Sequence, residues 1–210
     1  MNNNLFKITQ DINLESISNQ IRYLTNSADI KADDCIFVMI DIQEKFFTVI
    51  DNINEVIENA TILNKASEIL NIPLVITEQY PKGLGITIKN IFQPEKSIKL
   101  EKTLFSIFNS GFESILENYK EKNGEKPVLV LYGIETHICV TQSVLDAIKK
   151  AYHVIIVADA VSSRKAYSKE IALKLFSDKG VEIVTTEMLL FRFLKDAKHP
   201  KFKEISNLIK

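Results

Sequence analysis

The sequence predicts a three-layer α/β/α domain, doubly wound around a mainly parallel sheet of about six strands. Two observations point there. Short, nearly continuous runs of Val, Ile and Leu are bounded by polar or turn residues, the pattern of strands covered on both faces. Segments with helical apolar spacing separate those runs, and alternating strands and helices give βαβ crossovers. At 210 residues the chain also has room for one sizeable core.

The elements follow in order. The four clearest strands are Cys35–Ile40, Ile72–Thr77, Val128–Tyr132 and Val154–Ala158. Val181–Thr185 is a fifth, and Ser97–Leu100 a weaker sixth. Asn54–Leu70 carries Val56, Ile57, Ala60, Leu63 and Ala66 at helix spacing. Phe112–Tyr119 is a shorter helix stopped by Asn123-Gly124, and Val140–Ala151 places Val140, Val144, Ala147, Ile148 and Ala151 on one face. Lys169–Lys179 ends at Gly180, a natural helix stop. Glu187–Leu194 and Phe202–Ile209 close the chain, with Pro200 breaking between them. Residues 1–30 read as an N-terminal extension with an amphipathic stretch (Leu14, Ile17, Ile21, Leu24) that can dock on the body or on another subunit. Residues 31–210 read as the single main domain.

Composition narrows the function. The formal net charge is -1, and no basic face favours nucleic acid or an anionic membrane. No apolar run approaches membrane-span length. Met1-Asn2-Asn3-Asn4 lacks a secretory n-region, and Asp11 and Glu15 argue against an organelle transit peptide. Two cysteines, Cys35 and Cys139, are too few for a disulfide scaffold. The expectation is a reducing, cytoplasmic setting.

In a doubly wound sheet, ligands bind beyond the carboxyl ends of the strands. Those ends lead into Asp41-Ile42-Gln43, Glu78-Gln79-Tyr80, Glu101-Lys102-Thr103, Gly133–Cys139 and Asp159–Arg164. An acid, a lysine and a thiol thus converge on one rim. Cys139 falls where a turn enters a helix, and helix-start N–H groups stabilise a thiolate and can hold an oxyanion. By position alone, a buried core cysteine fits equally well. Asp41 follows a buried strand, where a carboxylate is costly unless paired or working; a helix N-cap is the plainer alternative. Lys102, if it lies near both, keeps Asp41 ionised and favours the thiolate. Of three histidines, His137, His153 and His199, none has metal-ligand spacing. Lys82-Gly83-Leu84-Gly85 lacks the spacing of a phosphate-binding loop. Neither a metal nor a cofactor is expected.

Taken together, these segments resemble the isochorismatase-like, or cysteine, hydrolase superfamily. The matching pieces are Ile40-Asp41-Ile42-Gln43 with Phe46 and Phe47, Glu101-Lys102-Thr103 with Phe105-Ser106, Gly133-Ile134-Glu135-Thr136 with Cys139-Val140, and Ala158–Arg164. They cover roughly residues 33–195. Thr77–Gly85 and His199–Ile205 further resemble the isochorismatase-domain-containing branch, which is largely without assigned substrates.

The resemblance implies Asp41 as general base, Lys102 as its support and Cys139 as the nucleophile on a small amide or carbamoyl group. It also implies a non-proline cis peptide at Ile134–Glu135, an oxyanion held by the N–H of Cys139 and a homo-oligomer. Gln43, Tyr80, Glu135 and His137 are the expected substrate-binding residues. Vinyl-ether hydrolysis of isochorismate-like substrates ranks last, because members that perform it use no cysteine nucleophile. A zinc-dependent nicotinamidase is disfavoured because Glu78-Gln79-Tyr80-Pro81 holds no histidine. A protein that keeps the fold and site but turns over little is the remaining alternative. The exposed apolar candidates for subunit contact are the N-terminal stretch and the run Met188–Leu194.

Overall fold

The computed structural model describes residues 30–210. The amphipathic stretch expected at residues 12–25 lies outside them. Six strands form one all-parallel sheet: β1 (Cys35–Ile40), β2 (Leu74–Gln79), β3 (Ile98–Lys102), β4 (Val128–Ile134), β5 (Val154–Ser162) and β6 (Glu182–Val184). Their spatial order is β3-β2-β1-β4-β5-β6, so the winding reverses between β1 and β4, the place where doubly wound sheets open a crevice. Every residue of β1, β2 and β4 is buried, which explains their unbroken apolar runs.

Among the described residues, six helices of eight residues or more cover the sheet: α1 (Ile53–Leu70), α2 (Ser110–Asn123), α3 (Thr141–Lys149), α4 (Ala166–Asp178), α5 (Thr186–Leu194) and α6 (Phe202–Ile209). Right-handed crossovers put α1, between β1 and β2, on the face opposite α3, between β4 and β5. Accordingly α1 packs with α5 and α6, and α3 packs with α4. A buried polar chain ties α1 to the sheet: the Tyr132 hydroxyl donates to Asn64 Oδ1 at 2.6 Å, and Asn64 Nδ2 donates to the Phe92 carbonyl at 2.7 Å.

Several boundaries shift for physical reasons. The second strand starts and ends two residues later than expected and keeps Glu78 and Gln79, because their polar side chains are buried against partners rather than turned into solvent. The fifth strand continues to Ser162, where Ser162 Oγ donates to the Asp51 carbonyl. The helix expected from Val140 is preceded by a π-helical turn, Thr136–Val140. Of the apolar run Met188–Leu194, Leu189, Leu190, Phe193 and Leu194 are buried in the core. Only Met188 and Phe191 remain exposed, and Phe191 stacks edge-on against Phe202.

Candidate active site

Gly133 brings the two central strands together. Its φ is +121°, and a Cβ there would lie 2.1 Å from the Ile40 carbonyl oxygen. Only glycine allows this approach. The chain then passes through the cis peptide Ile134–Glu135, as the resemblance implied, into the π-helical turn carrying Cys139. The N–H groups of Ile138 and Val140, on either side of Cys139, both donate to the Glu135 carbonyl, at 3.0 and 3.3 Å.

Across the crevice, Asp41 directly follows β1, with a φ of +52°, and is buried. No helix begins there, so the N-cap alternative falls. Its carboxylate instead accepts from Thr77 Oγ1 at 2.7 Å and from Lys102 Nζ at 2.6 Å. Lys102 is likewise buried. Its ammonium also donates to Gln79 Oε1 at 2.8 Å and to the carbonyls of Phe105 and Leu104, at 3.2 and 3.3 Å. A buried pair of this kind persists only when its remaining polar atoms are satisfied, and here β2 supplies that. The registers Ile40↔Thr77 and Gln79↔Lys102 bring Thr77 and Gln79 to the two halves of the pair.

Cys139 is buried beside these charges. Burial pushes its thiol up to about 12, and the Asp41 carboxylate adds to the rise while Lys102 opposes it. The helix-start expectation is a stabilised thiolate; desolvation and the facing carboxylate raise the thiol instead. Cys35, at the opposite end of β1, is fully buried, and its thiol is pushed well up by desolvation. It packs as core.

The expected substrate-binding residues separate into two kinds. Gln43 is fully buried: its Oε1 accepts from the Gln79 N–H, and its Nε2 donates to the carbonyls of Gln79 and Gly85. Both ends of the amide are spent on the last residue of β2 and on Gly85 in the segment after it, which leaves neither end open to a ligand. Glu135 is also buried, and one carboxylate oxygen accepts from Arg164 N–H and Nε at 3.0 and 3.1 Å. It clamps the Cys139 turn to the chain just beyond β5. Tyr80 is exposed, with its N–H on the Lys102 carbonyl at 2.8 Å. His137 Nδ1 lies 3.0 Å from Ser163 Oγ and lines an open cavity of about 340 Å³ with Arg164, Lys165, Tyr167 and Ser168. Asp159, expected just past a strand end, lies within β5 and holds the N–H and hydroxyl of Thr186 at the start of α5. Among the described residues, no three His, Cys, Asp or Glu side chains gather as a metal site.

Sequence reasoning missed Thr77 and Gln79 as partners of the pair. The available signal was a polar Thr-Glu-Gln run continuing directly from an apolar strand.

Comparison with known proteins agrees with this architecture. The Isochorismatase domain model matches residues 35–188. Isochorismatase domain-containing protein 1 of Danio rerio is 37% identical over 187 residues, covering 89% of this chain and 65% of that protein. The chain thus spans slightly less than two thirds of that relative. Isochorismatase domain-containing protein 2 of Danio rerio is 39% identical over 174 residues, covering 83% of this chain and 86% of that protein. A solved structure described as the MAR1 ribonuclease from Caenorhabditis elegans superposes with a TM-score of 0.78 at 34% identity, covering 86% of this chain and 91% of that one. With the family's pattern spanning the sheet from β1 to the start of α5, this chain belongs to the isochorismatase family.

Proposed function

We propose that the protein is a cysteine hydrolase that cleaves a small amide or carbamoyl C–N bond without a metal. The observation that carries this reading is the buried Asp41–Lys102 pair beside the Cys139 thiol at the reversal point of the sheet. Asp41 takes the thiol proton as sulfur attacks the carbonyl carbon. The oxyanion is held by the N–H of Cys139. The tetrahedral intermediate collapses, the C–N bond breaks, and the proton on Asp41 passes to the leaving nitrogen, which departs as ammonia or an amine. Water, activated by Asp41, then attacks the thioester, and the thiol recovers its proton. Lys102 keeps Asp41 ionised between steps. The protein acts on a small molecule as a homo-oligomer, which the resemblance implies, in the cytoplasm, which the cysteine usage implies.

A panel of small amides, ureido acids and carbamoyl compounds tests this through ammonia release. Cys139→Ala is expected to abolish release, and a thioester mass adduct should accumulate on the wild type with slow substrates. Equal release by both proteins would sink the covalent mechanism. No Cys139-dependent product from any compound would favour a binding role.

The likeness to a protein described as a ribonuclease, together with the cationic cavity beside the turn, supports a second reading as an RNA-cleaving protein. Cleavage of single-stranded RNA by the wild type, unchanged in Cys139→Ala, is the outcome that would favour it.

A further inference from the structure

Strand β2 ends on Gln79, whose side chain lies on the same face of the strand as that of Thr77, two residues earlier. Thr77 bonds Asp41 and Gln79 bonds Lys102, so the two halves of the ion pair hang on alternate residues of one strand. Glu78, between them, bonds Thr87 instead.

The buried Gln79 amide has only one workable sense. Its Nε2 donates to the Thr103 carbonyl at 2.8 Å, and its Oε1 accepts from Lys102 Nζ at 2.8 Å. A carbonyl only accepts and an ammonium only donates, so a reversed amide would lose both bonds. The backbone of Gln79 is fixed as well, with its N–H on Gln43 Oε1 and its carbonyl on Gln43 Nε2.

The consequence falls on Lys102. Its partners are the Asp41 carboxylate, the Gln79 amide oxygen and the carbonyls of Leu104 and Phe105. Every one of them accepts, and together they take all three ammonium hydrogens. A neutral amine would turn its lone pair on these oxygens. The carbonyls of Thr103, Leu104 and Phe105, three in a row, are thus spent on the Gln79–Lys102 pair. The Cys139 thiol responds to this arrangement: Asp41 raises it and Lys102 opposes the rise.

We infer that Gln79 is a positioning residue for the hydrolysis proposed above: its oriented amide holds Lys102 as a source of charge and not of protons, aimed at Asp41, so that Asp41 alone carries protons between Cys139, the leaving nitrogen and water. The turnover it serves rests on the hydrolase reading, whereas its effect on the thiol holds whether or not a substrate is cleaved. Gln79 acts through Lys102, not on the substrate.

Iodoacetamide labelling of Cys139 at about pH 9, resolved by peptide mass, tests the effect on the thiol. Gln79→Glu keeps the length of the side chain and sets a carboxylate, ionised at that pH, against Lys102. It should slow labelling about threefold or more, because the cation that opposes the rise of the thiol is neutralised. In the Asp41→Asn background, where Lys102 is the dominant charge near the sulfur, adding Gln79→Glu should slow labelling about tenfold, one pKa unit of the thiol. Glu78→Gln controls for disturbing the end of β2. Glu78 is not among the charges that act on Cys139, so its variant should label within about twofold of wild type. Unchanged labelling in both Gln79→Glu proteins overturns the inference. Equal slowing in Glu78→Gln also overturns it, since any disturbance of the strand end would then suffice. Circular dichroism confirms that each variant is folded.

Turnover supplies the second arm, on the best-cleaved compound of the amide and carbamoyl panel. Gln79→Met keeps the length, removes both amide bonds and leaves Lys102 charged, so it also stands in if Gln79→Glu does not fold. Its kcat should fall about tenfold or more with KM within about twofold of wild type, the split expected when orientation and not substrate binding is lost. A wild-type kcat overturns the inference. A raised KM at unchanged kcat overturns it too, because Gln79 would then bind the substrate. No cleavage of any compound by the wild type, with labelling slowed in the Gln79→Glu proteins, upholds the hold on Lys102 and counts against the hydrolase reading alone.

Discussion

Burial first, and the Asp41 carboxylate second, push the Cys139 thiol up to about 12, so it attacks nothing at neutral pH until a base removes its proton, and the proposed hydrolysis uses that same carboxylate as the base. The Asp41 carboxylate disfavours the thiolate by its charge and offers the acceptor for the proton. Two consequences run opposite to a simple reactive-cysteine picture. Iodoacetamide should label wild-type Cys139 more slowly than free cysteine at pH 7, with the rate still climbing about tenfold per pH unit beyond pH 9. Asp41→Asn removes the carboxylate and leaves Lys102 as the dominant nearby charge, so its Cys139 should label faster than wild type while turnover is lost. Rates read by peptide mass, with circular dichroism to confirm folding, check both. Labelling in Asp41→Asn that is slower than wild type would mean that Lys102 does not act on the sulfur. The same shift affects stability. A thiol raised in the fold stabilises it fully below the unfolded pKa near 9, and that contribution is lost as pH rises from about 9 towards 12.

At the scale of single elements, the junction of β1 and β4 depends on one residue. Gly133 and Gly180 both have positive φ, at +121° and +79°, but a Cβ on Gly180 meets nothing within 4 Å whereas one on Gly133 meets the Ile40 backbone. Gly180→Ala should therefore cost only about 1 kcal/mol, the backbone term. Gly133→Ala should cost about 3 kcal/mol or more, since backbone strain adds to a clash between central strands. Urea midpoints of the two variants provide the comparison. The strands themselves were legible because two-sided burial forces continuous Val, Ile and Leu, and β1 was read to the residue. Their polar ends were less legible. Glu78 and Gln79 look like turn residues until their buried partners Thr87 and Lys102 are known. Which acceptor Lys102 meets depends on strand register, and an apolar run does not encode its register. Asp41, Lys102 and Cys139 could be singled out because each ends a strand or follows one. The cationic cavity could not, because Arg164 and Lys165 read as ordinary surface residues in a polar loop.

For the whole molecule, the winding order makes the centre of the sheet both the most buried region and the floor of the site. β1 and β4 are buried throughout and flank the reversal point, so opening them exposes the core and requires global unfolding. β3 is an edge strand whose Ile98, Lys99 and Glu101 are exposed; only its last residue, Lys102, is buried. That edge is held at its carboxyl end by the ion pair to Asp41 and the bond to Gln79. Native-state hydrogen exchange read by mass spectrometry should reflect this hierarchy. Amides in peptides spanning residues 35–40 and 128–134 should exchange slowest, at the rate of global unfolding. Those over 98–102 should exchange faster, through local opening of the edge. Asp41→Asn should accelerate the 98–102 peptide more than either central strand, because it releases the tether on β3 and leaves the apolar packing of β1 and β4 in place. Uniform acceleration across all three peptides would instead mean that the Asp41–Lys102 pair supports the whole sheet rather than its edge, and that the site and the fold cannot be altered separately.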